Sequence, residues 1–427
     1  MSPAVEAFEQ PSSKTVRAGR PLRLVVLGMM GRMPIAGVIW QVLHYLEGFR
    51  RLGFDVYYVE DTETWPYDPE KNTVTNDCAY TLDVLKRIMA AHGFSQRWAY
   101  RSVTRDGRSF GLSDGELRRL FGQTDVLVNL TASTILREEH LRVPLRVYLE
   151  TDPVLPQIEI AKGNRSYIEA LGAHTHHFSY GENLGAPDCG VPVERFHYFP
   201  TRQPIVLDWW KGSPAANGND ASSGAPFTTI ANWRQSGKDL AWNGVTYTWS
   251  KHHEFLKFID LPRQTPQALE LALALKSASA SDEKNWGGLS REDTEAIHWL
   301  TSHGWRAINA ISLSMNIFSY RDYILRSRGE FTVAKDQNVR LRSGWFSDRS
   351  ACYLAAGRPV ITQDTGFGKF LPTGEGLFAF TTMEEIVAAL DRIKSDEARQ
   401  GRAARAIAEA YFKAETVLAK LVADLGL

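Results

Sequence analysis

The first apolar positions of the chain predict an open α/β fold. Residues 22–27 form a short run of apolar side chains, and residues 54–60 form a second one. Between the two runs, apolar residues recur at helical spacing: Val38, Val42, Leu46 and Phe49. Gly53 follows them, at a point where glycine commonly ends a helix. Strand, helix and strand in this order are typical of a parallel, doubly wound sheet.

A polar or glycine-containing loop follows most of the predicted strands. After the first two strands, three further apolar runs end in polar or turn-forming residues: 125–130, 145–151 and 176–180. The carboxyl ends of parallel strands meet at one edge of a sheet, and ligands bind there. We therefore expect these loops to share an edge with the glycine-rich loop after the first strand, which contains Gly28, Gly31 and Gly37.

A break in composition divides the chain. Residues 211–226 are rich in Gly, Ala and Ser and cannot build a core, which predicts a linker or a mobile loop. The elements predicted after it are strands at 227–233 and 329–335, a helix or helical turn at 252–261 and, at 267–275, a strand or a helix. The predicted divisions are a flexible tail (1–20), a Rossmann-like domain (21–205), a linker or mobile loop (206–226), a second Rossmann-like domain (227–400) and C-terminal helices that pack back on the first domain (401–427).

Composition narrows the class of function. The 427 residues include 49 Lys and Arg and 49 Asp and Glu, so no basic field marks the chain as a nucleic-acid or anionic-membrane binder. The three cysteines are far apart, which argues against a disulfide framework or a zinc ribbon. No apolar run approaches the ~20 residues of a membrane span, and the first residues lack the pattern of a signal peptide. We expect a cytoplasmic protein without an integral membrane segment and without a nucleic-acid partner.

Residues 343–366 concentrate the features of a binding site. Ser347 is a candidate N-cap, and the apolar helix pattern after it stops at Gly357. A short strand then leads to Asp364 and Thr365 at the same edge of the sheet. The free N–H groups of a helix start suit a phosphate, whereas a carboxylate and a hydroxyl suit the hydroxyl groups of a sugar. The segment therefore predicts a nucleotide-sugar site.

The same segment resembles the donor-binding region of GT-B-fold glycosyltransferases, in particular bacterial enzymes of the family 1 and family 4 types. In that region a helix is followed by A-x-G-x-P-V-I and by a polar turn, and the matching residues here are Ala355, Gly357, Pro359, Val360, Ile361, Asp364 and Gly366. The loop at 28–37 is similar to the acceptor-side loop of the family. The resemblance implies an α/β fold with two Rossmann-like, doubly wound domains that face a central cleft. The acceptor would lie on the N-terminal domain, and a UDP-, GDP- or dTDP-sugar would lie on the C-terminal domain.

The resemblance also implies an activity, the transfer of a hexose from the nucleotide diphosphate to a small-molecule, glycan or peptide acceptor. It implies neither a metal nor a cofactor beyond the nucleotide sugar. Many retaining members carry a Glu-x7-Glu pair, but the corresponding positions here are Gly344 and Cys352, which favours inversion. Inversion needs a base on the acceptor side. Asp152, whose backbone Pro153 restricts, is the first candidate, and Glu150 and Glu182 are the reserves.

The expected donor-binding residues are Lys335, Ser343, Gly344, Trp345, Ser347, Asp364, Thr365 and Gly366. Lys335 ends a predicted strand and could neutralise the departing diphosphate. Each of the others has a plain structural alternative, as a turn, an N-cap or an Asx turn. Arg328 and Glu330 are expected to form an ion pair at the far end of the strand that Lys335 ends.

Other functions remain open. His174 and His176 would share one face of a strand and could chelate a metal, but no acidic or cysteine partner lies at ligand spacing, so a structural or acceptor-site role is favoured. A nucleotide-sugar epimerase or a phosphorylase-like enzyme could use the same scaffold, and an epimerase would need carboxylates on both sides of the sugar. A non-catalytic sugar-nucleotide binding protein would keep the 343–366 segment without needing Asp152.

Overall fold

The structure, a computed structural model, describes residues 16–17, 19–102, 107–212, 224–235, 237–275 and 291–427. Most of the predicted tail and residues 213–223 of the predicted linker lie outside the described residues.

The strands alternate with helices through most of the described chain. In chain order the strands are β1 (Val16–Arg17), β2 (Arg20–Pro21), β3 (Arg23–Leu27), β4 (Asp55–Glu60), β5 (Tyr67–Asp68), β6 (Thr73–Val74), β7 (Trp98–Ser102), β8 (Arg108–Gly111), β9 (Val126–Leu130), β10 (Leu145–Glu150), β11 (His176–Ser179), β12 (Tyr198–Pro200), β13 (Phe227–Asn232), β14 (Leu240–Trp242), β15 (Val245–Tyr247), β16 (Leu269–Ala274), β17 (Arg306–Asn309), β18 (Gly329–Thr332), β19 (Val360–Gln363) and β20 (Leu377–Phe380).

The α-helices are α1 (Ala36–Arg51), α2 (Ala79–Ala91), α3 (Asp114–Gly122), α4 (Glu138–Leu141), α5 (Leu155–Ala161), α6 (Arg165–Gly172), α7 (His252–Leu256), α8 (Leu261–Gln264), α9 (Arg291–Ser302), α10 (Ala310–Ser314), α11 (Ile317–Arg326), α12 (Asp336–Arg340), α13 (Asp348–Ala355), α14 (Met383–Ser395), α15 (Glu397–Tyr411) and α16 (Ala414–Asp424). Among the described residues, no helix combines the length and the apolar character that a membrane span requires.

Two largely parallel sheets organise the described chain. The first has the order β12-β11-β10-β9-β3-β4-β7-β8, and in it only β7 and β8 pair antiparallel. The second has the order β17-β16-β13-β18-β19-β20 and is parallel throughout. In the second sheet the chain order reads 3-2-1-4-5-6, which is the order of a dinucleotide-binding Rossmann domain. The predicted class, two doubly wound α/β domains, is confirmed.

The element that the sequence left undecided is a strand. Residues 267–275 contain β16, which lies between β13 and β17 and is buried along most of its length. Because both faces of such a sheet are covered, an inner strand shows a continuous apolar run instead of an alternating one. The predicted helix at 252–261 is divided between two short helices, α7 and α8.

The two domains share one apolar core on the side of α1. Buried side chains of both domains belong to it, among them Trp40, Tyr45, Phe49, Tyr320, Phe346 and Phe412. The C-terminal helix α16 packs on α1 at Gly48, where an added Cβ would lie 2.5 Å from a methyl carbon of Leu418. Trp40 also donates a hydrogen bond from its indole nitrogen to the carbonyl of Ile317, at 3.0 Å. The two domains are therefore packed against each other through α1, α11 and α16.

Candidate active site

The polar loops predicted to share an edge do so. Strands β3, β9, β10 and β11 are neighbours in the first sheet, so their carboxyl ends lie side by side. They face a loop of the C-terminal domain, and hydrogen bonds join the two sides, among them the following three. Trp345 donates from its indole nitrogen to the carbonyl of Thr151 at 2.9 Å, and the Gln203 amide donates to the carbonyl of Phe346 at 2.6 Å. The third runs from the backbone N–H of Asn183 to the carbonyl of Ser343, at 3.1 Å.

Gly344 makes this close approach possible. Its φ is +78°, and a Cβ at this position would lie 2.5 Å from the backbone nitrogen of Asn183. Its N–H donates to the carbonyl of Thr365 at 2.8 Å, which ties the first turn of the segment to the second. The turn therefore needs glycine for both its conformation and its contact with the other domain.

The hydroxyl groups of Ser343 and Thr365 hold the two turns together. Ser343 is fully buried and donates to the amide oxygen of Asn338 at 2.8 Å. Thr365 is 1% exposed and donates to the carbonyl of Trp345 at 2.6 Å. Both residues therefore act as structural supports for Trp345 and its neighbours in this structure, and their direct contact with a donor stays a prediction.

The start of α13 carries a carboxyl group of its own. Ser347 is the N-cap residue by backbone conformation, but its side chain makes no capping hydrogen bond. Asp348 follows it, and its half-buried carboxylate accepts hydrogen bonds from Gln41 at 3.0 Å and from the Tyr180 hydroxyl at 3.5 Å. Burial raises the pKa of Asp348 to about 7. A phosphate at this helix start would have to share the free N–H groups with that carboxyl group. The cationic side chains of the cleft are therefore the better candidates for holding a phosphate.

Asp364 and Gly366 form a turn at the edge of the cleft. One carboxylate oxygen of Asp364 accepts from the Gly366 N–H at 2.9 Å, which is an Asx turn, and the other lies 3.4 Å from the Arg342 guanidinium. The φ of Gly366 is +93°, a conformation that favours glycine. Asp364 keeps part of its side chain exposed, so it can still reach a ligand.

The predicted base and the predicted cation contact each other across the cleft. Lys335 and Asp152 form an ion pair in which the side chains are 11% and 34% exposed. The Lys335 ammonium also lies 3.2 Å from the centroid of the Trp249 ring. Burial lowers the pKa of Lys335, and the Asp152 carboxylate opposes that effect. The structure thus places the predicted base and the predicted cation, which the sequence analysis treated separately, in direct contact.

A second lysine, which the sequence analysis did not identify, lies in the same place. Lys251 precedes α7, and its ammonium lies 5.4 Å from the centroid of the Trp345 ring. Among the described residues it has no hydrogen-bond or ion-pair partner. Burial, with Arg349 and Lys335 nearby, lowers the pKa of Lys251 to about 7. Residue 251 is separated from β13 by the β14–β15 hairpin, so no strand-end pattern points to it.

Glu150 supports the turn that presents Asp152. It is buried and accepts hydrogen bonds from Ser179 at 2.6 Å and from the Gln157 amide at 2.8 and 2.9 Å. Gln157 in turn accepts from the Val154 N–H at 2.7 Å. Val154 has φ +98°, which is strained for a β-branched residue. Burial raises the pKa of the Glu150 carboxyl to about 7, against the effect of these donors.

Glu182, the other reserve, is committed to a cation. Two nitrogens of Arg202 donate to its carboxylate, at 2.6 and 2.8 Å. Burial raises the pKa of Glu182, while Arg202 opposes the rise. Of the three candidate carboxylates, Asp152 alone pairs with a residue of the other domain.

The glycine-rich loop after β3 is held by a buried carboxylate. Gly31 and Arg32 donate from their backbone nitrogens to Glu60, at 2.6 and 2.5 Å. An added Cβ at Gly31 would lie 2.6 Å from a methyl carbon of Thr81, and one at Gly28 would lie 2.9 Å from the Tyr58 ring. The expectation that Gly37 lies in this loop is wrong, because α1 begins at Ala36 and includes it.

Two further expectations are corrected. Arg328 pairs with Glu397, whereas Glu330 pairs with Arg349 at 2.5 Å, so the expected pair between Arg328 and Glu330 is wrong. Its physical reason is the position of α13, which brings Arg349 against β18 next to Glu330.

The predicted face shared by His174 and His176 is also wrong, because His174 precedes β11. It is buried against His177 instead, with ring centroids 6.4 Å apart.

A cluster of metal-type ligands lies elsewhere at this edge. Atoms of Asp61, Glu139 and His140 lie within 4.8 Å of one another. Arg101 pairs with both carboxylates, and Arg137 pairs with Asp61. The His140 Nδ1 accepts from a backbone N–H at 3.0 Å, so a neutral ring carries its proton on Nε2, the nitrogen that faces the carboxylates. The cluster is therefore an ion-pair network.

Known structures share this architecture. By sequence, the chain matches no protein-family model and no curated protein. Anabaena HepE, solved with UDP and glucose, is 13% identical, with a TM-score of 0.56 over 95% of this chain and 99% of HepE. An alpha-glucosyltransferase solved with UDP and DNA is 10% identical, with a TM-score of 0.52 over 95% of this chain and 99% of that one. A glycosyltransferase from Rickettsia africae is 10% identical, with a TM-score of 0.50 over 94% and 97%. The protein has the GT-B glycosyltransferase fold.

Proposed function

We propose that the protein transfers a hexose from a nucleotide diphosphate sugar to an acceptor held by the N-terminal domain. The observation that carries the proposal is the pair of lysines at the cleft, Lys251 and Lys335, opposite Asp152. The structures of HepE include complexes with UDP and with UDP-glucose, which supports a UDP-sugar as the first donor to test.

The leaving diphosphate would be held by cations of the protein. Lys251 has no anionic partner of its own among the described residues, and Lys335 is paired with the carboxylate of Asp152. Negative charge that develops on the leaving group is stabilised most by donors that are already in place. Trp345, whose ring lies beside the Lys251 ammonium, would line the donor site, and the turn at Asp364 and Gly366 would contact the hexose.

Asp152 is proposed as the base of an inverting reaction. It would take the proton of the acceptor hydroxyl while the acceptor oxygen bonds to the anomeric carbon and the bond from that carbon to the phosphate oxygen breaks. The nucleoside diphosphate then leaves with the bonding electrons. Glu150 is buried under the turn and Glu182 is paired with Arg202, so neither is as well placed to meet an acceptor.

The test separates binding from turnover. Isothermal titration with UDP-, GDP- and dTDP-glucose measures donor binding, and release of free nucleotide with glycan, small-molecule and peptide acceptors measures transfer. The Asp152→Asn variant should still bind the donor, and its turnover rate should fall by a factor of about 10² to 10⁴. Asp83→Asn, which alters an exposed ion pair on α2, is the matched control and should keep both.

Binding without transfer in the wild type would favour the non-catalytic alternative. If none of the sugar nucleotides binds, the proposal fails.

A further inference from the structure

We propose that Asp152 and the donor diphosphate compete for the ammonium of Lys335, so that donor binding releases the carboxylate that acts on the acceptor. The inference rests on the proposed function and adds an order of events to it. The donor would bind first, and the base would become available only while the donor is present.

The surroundings of Lys335 leave its ammonium few partners. One side is covered by the indole ring of Trp249, whose centroid is 3.2 Å away, and Asp152 takes another side. The Lys335 side chain is only 11% exposed. A diphosphate oxygen that approaches this ammonium would therefore compete with the carboxylate for it.

Asp152 is poised to leave this contact. Its Oδ1 is buried and has no hydrogen-bond partner among the described residues, so the ion pair satisfies only one of its two oxygens. The turn that carries it contains Val154 at φ +98°, a conformation that persists only because its surroundings hold it. The connection from Glu150 through Gln157 to the Val154 N–H fixes the turn and leaves the Asp152 side chain to move.

Lys251 supplies the attraction that starts the exchange. Besides burial, the charge of Lys335 contributes to lowering the pKa of Lys251, and Lys251 has no anion of its own among the described residues. A diphosphate held by Lys251 would bring its second phosphate to Lys335. While Lys335 donates to the Oδ2 of Asp152, that oxygen is not free to accept the proton of the acceptor hydroxyl. Exchange therefore frees the Oδ2 of Asp152 at the moment when the donor is in place.

A double-mutant cycle in UDP affinity tests the competition. Titrations of UDP would use the wild type, Asp152→Asn, Lys335→Met and the double variant, with melting curves to confirm folding. Removing the competing carboxylate should tighten UDP binding about tenfold, and Lys335→Met should weaken it about tenfold. In the double variant the effect of Asp152→Asn should fall below about twofold, because no contested ammonium remains. If Lys335→Met does not fold, Lys335→Gln takes its place in the cycle.

Two results would overturn the inference while leaving the proposed function standing. One is UDP binding by the wild type with no tightening in Asp152→Asn. The other is equal tightening with and without Lys335, which would mean that Asp152 acts only through general repulsion of the phosphates. A wild type that fails to bind UDP, UDP-, GDP- and dTDP-glucose would overturn the proposed function and the inference with it.

Discussion

Replacement of Glu150 by glutamine should change how the stability of the N-terminal domain depends on pH. Glu150 is buried under the Asp152 turn, and burial raises its pKa from 4.5 to about 7. Below pH 4.5 the carboxyl is protonated in both the folded and the unfolded chain, and its contribution to stability is fully present. Between pH 4.5 and 7 the unfolded chain loses the proton first, so this contribution is lost as the pH rises.

The magnitude follows from the two pKa values. A change from 4.5 to about 7 corresponds to about 3 kcal/mol, at about 1.4 kcal/mol for each tenfold change in the proton equilibrium. A glutamine side chain at this position would stay neutral and keep the size of the protonated carboxyl. The free energy of unfolding of the Glu150→Gln variant, relative to the wild type, should therefore rise by about 3 kcal/mol between pH 4.5 and 8.

Urea unfolding at pH 4.5, 6, 7 and 8, followed by circular dichroism, measures this difference. Glu169→Gln, an exposed glutamate on α6, is the matched control and should follow the wild type at every pH. A difference between wild type and Glu150→Gln that stays constant from pH 4.5 to 8 would refute the reasoning, because Glu150 would then titrate alike in the folded and unfolded chains.

Two other predictions use the cleft. Lys251 is protonated below its pKa of about 7, so the affinity for UDP-glucose should fall as the pH rises from 6 to 8. Lys251→Arg should remove that fall. An unchanged pH dependence of the affinity in the variant would exclude Lys251 as its source. Gly344→Ala should lower the free energy of unfolding by about 1–2 kcal/mol from its left-handed backbone alone, and more from the collision with Asn183. Urea unfolding compares it with Gly172→Ala, where a Cβ meets open space, and equal stability of the two variants would contradict the argument.

The sequence was sufficient for the sheets and for the edge that carries the site. Parallel strands have a fixed direction, so polar residues after β10 and β18 had to reach the cleft side of their sheets. This rule places Asp152 and Lys335 at the cleft. Their ion pair could not be predicted, because it depends on how the two domains are placed against each other.

Other parts of the site depend on contacts that no local pattern records. Ser343 and Thr365 have the residue types that bind phosphates and sugars, yet their hydroxyls are used inside the C-terminal domain. The β14–β15 hairpin separates Lys251 from β13 along the chain, so no strand-end pattern in the sequence predicts its position in the site. A motif can thus locate a loop without telling which of its side chains are free.

The position of Asp348 explains why lysine side chains, and not the start of α13, would hold an anionic ligand. A helix start is a fixed source of positive charge. It cannot move from one anion to another during a reaction. Here Asp348 already lies at the start of α13, so the charge offered to a ligand comes from Lys251 and Lys335 instead. An ammonium on a long side chain can change partners, whereas a helix end cannot. Lys335 can therefore pair with Asp152 first and with the leaving diphosphate afterwards. This exchange would couple donor binding to the release of the base.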